Sequence, residues 1–401
     1  MRLSRRRLLY AAVATAIAAW AVAIVCVTVS LRPVEHYLIS YYVVDYRFGF
    51  IRRGLAGELV SPIDSATFFG RATAVRWTVT AVYLSALALV SAAMLRTGRS
   101  ERRIMVALML PTLTFGVPFA VFSARPDLLG AAAVAIFALG VAAQPHRILL
   151  WSAIYGSFTT ALALAHEAIP LEFALGAVLA SYVLAHDLTP ARRRMSAVVA
   201  VGPGLAATAA VAAFTRRGVS DQLCAAAPHR LMPMMTSFPD FQRYLQTGQL
   251  PPQEFHDWVC RWFLPKFDQS IVGAMRDVAA WGVGGLALSL GLGAVGLVAG
   301  IAAVQYVSGV PFRDFLSELR GRWAGPICAL ALFVPVFATA FDWTRWVVVI
   351  AFNITVVYLV YLRGRPELDR PPPPRTVWAF VAITTAFALL PLGLVPGGGT
   401  G

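Results

Sequence analysis

Lysine is all but missing from this 401-residue chain: Lys266 is the only one, and arginine supplies the rest of its 34 basic residues. Charge of any kind is scarce, at 13% of residues against 58% hydrophobic. That balance excludes an ordinary soluble globule, whose own exterior must be wet. The four cysteines and six histidines show no metal-ligand spacing, so no metal or other cofactor is expected. No phosphate-binding glycine loop is present, which argues against an ATP-driven machine, and no internal repeat is visible. The net charge of +14 does not point to nucleic acid, because the basic residues fall between apolar runs rather than along one solvated face.

What is present is a succession of apolar runs. About 20 such residues cross a bilayer as a helix. The runs at 8–31, 74–95, 104–122, 128–144, 149–165, 170–186, 196–214, 278–304, 324–341, 346–362 and 377–395 give about eleven spans. The expected fold is an all-α polytopic bundle, one integral membrane domain over 1–401 with long outer loops at 32–73 and 215–277. The first run follows a basic start but is too long for the core of a signal peptide, so it reads as a span.

Alternating spans put 19 basic residues on the N-terminal side and 15 opposite, many of the latter in long loops. The positive-inside rule then makes the N-terminus cytoplasmic. Acids divide the other way, with six inside and 14 outside or near the outer span ends. Acids hardly steer topology, so carboxylates gathered on one face hint at chemistry there. Cys224 and Cys260 share the second outer loop, where a disulfide between them is expected. Cys26 and Cys328 fall within spans and read as packing residues.

Four polar groups land at outer span ends: Asp45 to Gly54 with Arg47, Arg52 and Arg53; Arg125-Pro126-Asp127; His166-Glu167; and Asp342-Trp343-Thr344-Arg345-Trp346. Ionisable groups at such depths are costly unless paired or functional. Their common level suggests one shared polar cavity. A carboxylate within hydrogen-bond reach can take a proton from an acceptor hydroxyl. Arginine forks suit a departing phosphate. Phe48, Phe50, Trp343 and Trp346 can stack on sugar faces or anchor at the interface. Each group also has a plainer reading. Asp45 can pair with Arg47 or Arg52, and Asp127 can favour a helix dipole. His166 can bond Glu167, and Asp342 with Arg345 can form an i,i+3 ion pair. His256 and Asp257 read as solvent-facing or packed on Trp258.

These placements resemble the GT-C glycosyltransferases, multi-span enzymes that use polyprenyl-phosphate-linked sugars outside the cytoplasm. The features that carry the resemblance are Asp45 in the first outer loop, the Arg125-Pro126-Asp127 turn and the His166-Glu167 step, all within roughly the first 170 residues. The Asp45 to Gly54 and Asp342 to Trp346 stretches are also similar to bacterial membrane proteins associated with surface polysaccharide. Many GT-C enzymes have paired acids in the first loop; here Tyr46 follows Asp45, which weakens any case for a divalent metal.

The resemblance implies an inverting, metal-independent enzyme in a bacterial plasma (inner) membrane. Asp45 would be the base, with Asp127 and Glu167 as further catalytic acids orienting sugars or Arg125. Arg52, Arg53 and Arg345 would hold lipid phosphate, and Arg125, His166 and Asp342 would assist in substrate binding. The partners would be a polyprenyl-phosphate-linked sugar donor, a cell-envelope glycan or glycolipid acceptor and membrane lipids, with no nucleic acid. The alternatives are a polymerase or ligase acting on lipid-pyrophosphate units, a transporter or flippase, and a non-catalytic scaffold. The nearly charge-free mid-span positions weigh against transport.

Overall fold

The computed structural model describes residues 3–31, 36–60, 65–185, 188–233 and 238–390 of the chain. Among these, seven helices are long and apolar enough to cross a membrane: Arg6–Val29, Thr67–Arg96, Glu101–Phe122, Pro145–Ala165, Pro190–Phe214, Gly282–Ser308 and Trp343–Leu362. Four shorter apolar helices, Asp127–Ala143, Ile169–Val183, Ala324–Thr339 and Pro374–Leu389, complete the order expected from the apolar runs. The protein is an all-α polytopic membrane bundle. The last run was expected to reach 395, and its end lies outside the described residues.

Burial sorts the helices into layers. The most apolar stretches of Glu101–Phe122 and Trp343–Leu362 are 83% buried, so they form the centre, whereas Arg6–Val29 is 11% buried and faces outward. Lipid is as apolar as leucine, so membrane helices associate through close packing and buried hydrogen bonds. Both devices occur here. A Cβ at Gly156 would lie 2.4 Å from the Val199 carbonyl oxygen, so only glycine lets the Ile148–Ala165 and Pro190–Phe214 helices approach so closely. Ser196 Oγ bridges them, 2.7 Å from Ser152 Oγ and 2.9 Å from Ser181 Oγ. Asn353, fully buried in the central helix, accepts from Gly176 N and donates to Glu172 O, both at 2.9 Å.

Two expectations need correction. The eighth span does not begin at 278: Gly282, at φ +72°, separates a preceding helix, Ile271–Ala280, from Gly282–Ser308. Cys26 and Cys328 are exposed on the bundle surface rather than packed inside it. A thiol is apolar enough to face lipid at little cost.

The two long loops fold onto each other. Cys224 and Cys260 are joined by a disulfide with a Cα–Cα distance of 5.2 Å. Leu231–Pro233 pairs antiparallel with Pro252–Glu254, the only sheet among the described residues. Tyr41, Tyr42, Val44 and Ile51 from the first loop share an apolar cluster with Leu223, Phe255, Phe263 and Phe267 from the second. Backbone bonds join the loops: Arg216 N donates to Phe50 O at 2.7 Å, and Arg52 N to Thr215 Oγ1 at 2.8 Å. This cap fixes the first loop over one end of the bundle.

Candidate functional site

Three helix-end turns and the capped first loop meet there. Arg125 and Asp127 come from the turn before the Asp127–Ala143 helix, and His166 and Glu167 from the turn after the Ile148–Ala165 helix. Asp342 and Arg345 open the Trp343–Leu362 helix. Arg52 and Arg53 precede the short Gly54–Glu58 helix.

The ion pairs link the four segments two by two. Arg345 Nη2 donates to Asp127 Oδ2, and the two side chains are 1% and 2% exposed. Arg345 Nη1 also lies 3.5 Å from Asp342 Oδ2, and Arg125 Nη1 reaches that same oxygen at 3.5 Å. Arg53 forks onto Glu167 with two bonds of 3.0 Å, while Arg52 Nη1 lies 3.6 Å from Glu167 Oε1. Tyr41 joins the two halves: the Arg53 guanidinium is 5.4 Å and that of Arg125 is 6.0 Å from its ring centroid. Arg125 also covers Tyr37 at 4.5 Å, and the His166 ring lies 5.7 Å from Tyr41.

Four guanidiniums, those of Arg52, Arg53, Arg125 and Arg345, face three carboxylates, those of Asp127, Glu167 and Asp342. Among these ion-paired groups one guanidinium is in excess, and the fully buried Glu172, in no ion pair, lies among their charges. Burial pushes the Glu167 carboxyl up, but Arg53 and Arg52 overcome it and hold the group well below the usual carboxylate range. Asp342 goes the other way, with burial raising it against the pull of Arg125. Each of these three carboxylates already lies against a guanidinium, an arrangement with the chemistry to hold an anion rather than a cation.

Arg53 is the only non-glycine residue at positive φ, +64°, among the described residues. Such a backbone costs on the order of 1–3 kcal/mol and persists where the surroundings impose it, often at a functional site. From this backbone the Arg53 side chain forks onto Glu167.

The expected site residues are distributed as follows. Arg52, Arg53, Arg125, Asp127, His166, Glu167, Asp342 and Arg345 are brought together. Asp45 is buried and tied to Arg47, whose Nε lies 2.9 and 2.7 Å from the two carboxylate oxygens. Asp127 and Glu167 take partners other than Arg125, because long-range packing rather than sequence proximity chooses them. The Asp342–Arg345 i,i+3 pair is present. Trp346 is 4% exposed beneath the Arg345 guanidinium, 4.0 Å from its centroid, so it is a buried platform and not an interfacial anchor. His256 stacks on His229 with centroids 3.8 Å apart. Cys224, His256 and Cys260 converge as metal ligands would, but the two sulfurs are bonded to each other.

Sequence reasoning missed Glu172, a fully buried acid one turn into the Ile169–Val183 helix. An acid inside an apolar run was the available signal. It also missed the tyrosines of the first loop, whose aromatic character alone did not set them apart.

Residues 10–388 match the family model described as Uncharacterised membrane protein Rv1490. The chain belongs to that family. Curated relatives in Mycobacterium tuberculosis and Mycobacterium bovis, each described as an uncharacterized protein, are 39% identical over 398 residues, covering 97% of this chain and 91% of theirs. No solved structure is significantly similar. Membership in the Rv1490 family agrees with the helical membrane architecture, and the family description goes no further.

Acid sensitivity of this cluster follows from His166. Burial, and after it the charge of Arg53, lowers its pKa from 6.5 to about 3. The unfolded chain therefore takes a proton that the folded chain refuses, and stability falls as pH drops from about 6.5 towards 3, by up to about 1.4 kcal/mol per pH unit. In detergent, His166→Asn is expected to lower the unfolding temperature less steeply than wild type between pH 7 and pH 5. Parallel curves for the two proteins would remove His166 from this account.

Proposed function

We propose that this protein is a membrane glycosyltransferase of the GT-C type, which moves a sugar from a polyprenyl-phosphate donor to a cell-envelope glycan or glycolipid at the non-cytoplasmic face. The observation that carries the reading is the cluster itself: Arg345, fully buried, with Arg52, Arg53 and Arg125 partly buried beside it, more guanidiniums than ion-paired carboxylates, at one end of a membrane bundle. An exposed arginine patch would be cheap and uninformative. Guanidiniums gathered from three separate segments and at least partly withdrawn from solvent are costly to assemble and suit an anionic headgroup attached to a lipid.

In this reading Asp45 takes the proton of the acceptor hydroxyl. The acceptor oxygen attacks the anomeric carbon from the side opposite the phosphate. The bond from that carbon to the phosphate oxygen breaks, and the lipid phosphate leaves with the negative charge. Arg52 and Arg53 at the rim, with Arg125 and Arg345 behind them, stabilise that charge as it develops. The fork of Arg47 on Asp45 comes from a half-exposed side chain that can swing away as the acceptor enters.

Asp342 is a second candidate for the base, favoured by a specific observation. Its Oδ2 is held by two arginines, while its buried Oδ1 has no hydrogen-bond partner, and burial raises its proton affinity.

The arginine placement supports a cytoplasmic N-terminus, with the cluster on the opposite face. In a chain with Cys26 and Cys328 replaced by serine, a cysteine at position 99 is expected to resist an impermeant thiol reagent in intact cells. Labelling there would put the cluster on the cytoplasmic side and sink the reading. The phosphate claim is tested by titrating polyprenyl phosphate into the purified protein. Arg52→Ala and Arg53→Ala should each weaken binding about 10–100-fold, since a charge-assisted bond is worth roughly 1.5–3 kcal/mol. Equal affinity in variant and wild type would contradict it.

A further inference from the structure

Beneath the arginines lies a group that the proposed reaction leaves unused. Glu172 is fully buried, and neither of its carboxylate oxygens has a hydrogen-bond partner. Such a group is expensive to keep inside a membrane bundle. It has no easy escape, because Asn353 clamps its stretch of helix from both sides. The Asn353 amide donates to Glu172 O and accepts from Gly176 N. A Cβ at Gly176 would lie 2.4 Å from Asn353 Oδ1, so the helix is seated against the central one with no slack.

Glu172 is not isolated from the cluster. The charges that act on it are those of Asp127, Arg125, Arg53 and Glu167. Other buried polar atoms of the cluster are left without partners too: Asp127 Oδ1, Arg345 Nε, Trp346 Nε1, His166 Nδ1 and Tyr42 OH. Buried polar groups in folded proteins are nearly always satisfied, and a concentration of exceptions in one place marks where something else binds. The missing partner must both donate and accept hydrogen bonds, since the set contains carboxylate oxygens and N–H donors together. A fully ionised phosphate offers acceptors only, so it would leave the oxygens of Glu172 and Asp127 Oδ1 without a donor. Adjacent hydroxyls of a sugar offer both roles.

We propose that Glu172 forms the floor of the substrate site and binds hydroxyls of the sugar that the lipid donor carries, while the arginines above take its phosphate. The proposal rests on the polyprenyl-phosphate reading and deepens it. Glu172 is thereby a specificity-determining residue rather than a base.

The test uses the full chain in nanodiscs and two kinds of probe: polyprenyl phosphate alone, and the same lipid bearing a hexose or a pentose. Wild type is expected to bind one of the sugared lipids about tenfold or more tighter than the bare one, as sites built to hydrogen-bond a hydroxyl do. Glu172→Leu should bring that ratio close to one without changing affinity for the bare lipid. Its unfolding temperature should equal or exceed that of wild type, because an unsatisfied buried carboxyl has been replaced by an apolar group. Glu172→Gln keeps the size and an acceptor oxygen, and should retain most of the ratio. An unchanged ratio in Glu172→Leu overturns the proposal and leaves the lipid-phosphate reading standing. So does a wild type that binds bare and sugared lipids equally, or a Glu172→Leu chain that unfolds at a lower temperature than wild type. A wild type that binds neither lipid overturns the reading and the proposal together.

Discussion

Arg345→Met is expected to be among the most destabilising single substitutions in this chain, costing about 3–5 kcal/mol, because it strands a buried charge. The arginine and its partner Asp127 are 1% and 2% exposed, and Asp342 leans on the same guanidinium. Removing it leaves the Asp127 carboxylate without its donor and two acids facing each other with only Arg125 between them. Asp127→Leu should cost less, since Arg345 keeps Asp342. The double variant Asp127→Leu with Arg345→Met should recover much of the loss, for a buried ion pair replaced by apolar groups is often neutral to stability. Yield of monodisperse protein in detergent and the unfolding temperature measure this. A stable Arg345→Met chain would mean that the pair is not the keystone described here. The double variant is also expected to fold while losing affinity for lipid phosphate, which separates structure from binding.

Much of the architecture was legible because lipid imposes a simple rule on sequence. A span must be apolar for about 20 residues, so the runs announced the helices and their order. The cluster at the loop-capped end of the bundle was partly legible for a related reason. Arg125, Asp127, His166, Glu167, Asp342 and Arg345 interrupt apolar runs at their ends, where a charge is too costly to be idle. Their pairing was not legible. Arg345 is 218 positions from Asp127, and nothing local reveals that it reaches past its own neighbour Asp342. Glu172 escaped because it follows Pro170 at a helix start, where an acid has an ordinary reason to be. The break before Gly282 was hidden in a glycine-rich apolar run, where one positive φ leaves no trace in composition. Trp346 reads as an interfacial anchor by type, and only packing places it under Arg345.

The second large effect is expected in turnover. Asp45→Asn keeps the size of the side chain and some of its hydrogen bonding to Arg47, but it cannot accept a proton. General-base catalysis is typically worth about 10²–10⁴ in rate, so transfer should fall by that factor while affinity for the lipid donor stays nearly unchanged. The competing view is that Asp45 only neutralises Arg47. Because Arg47 is half exposed, that view predicts a modest loss of stability and normal turnover. Asp342→Asn is the control that decides between the two candidate bases.

The central claim is tested most directly by incubating the purified protein with a polyprenyl-phosphate sugar labelled in the sugar, together with envelope glycolipid extract, and following label into the acceptor fraction. The account predicts transfer by wild type, a fall of about 10²–10⁴ in folded, donor-binding Asp45→Asn, and a smaller fall in Asp342→Asn. A wild-type chain that binds the donor but never moves its sugar, or an Asp45→Asn chain with wild-type turnover, would contradict it.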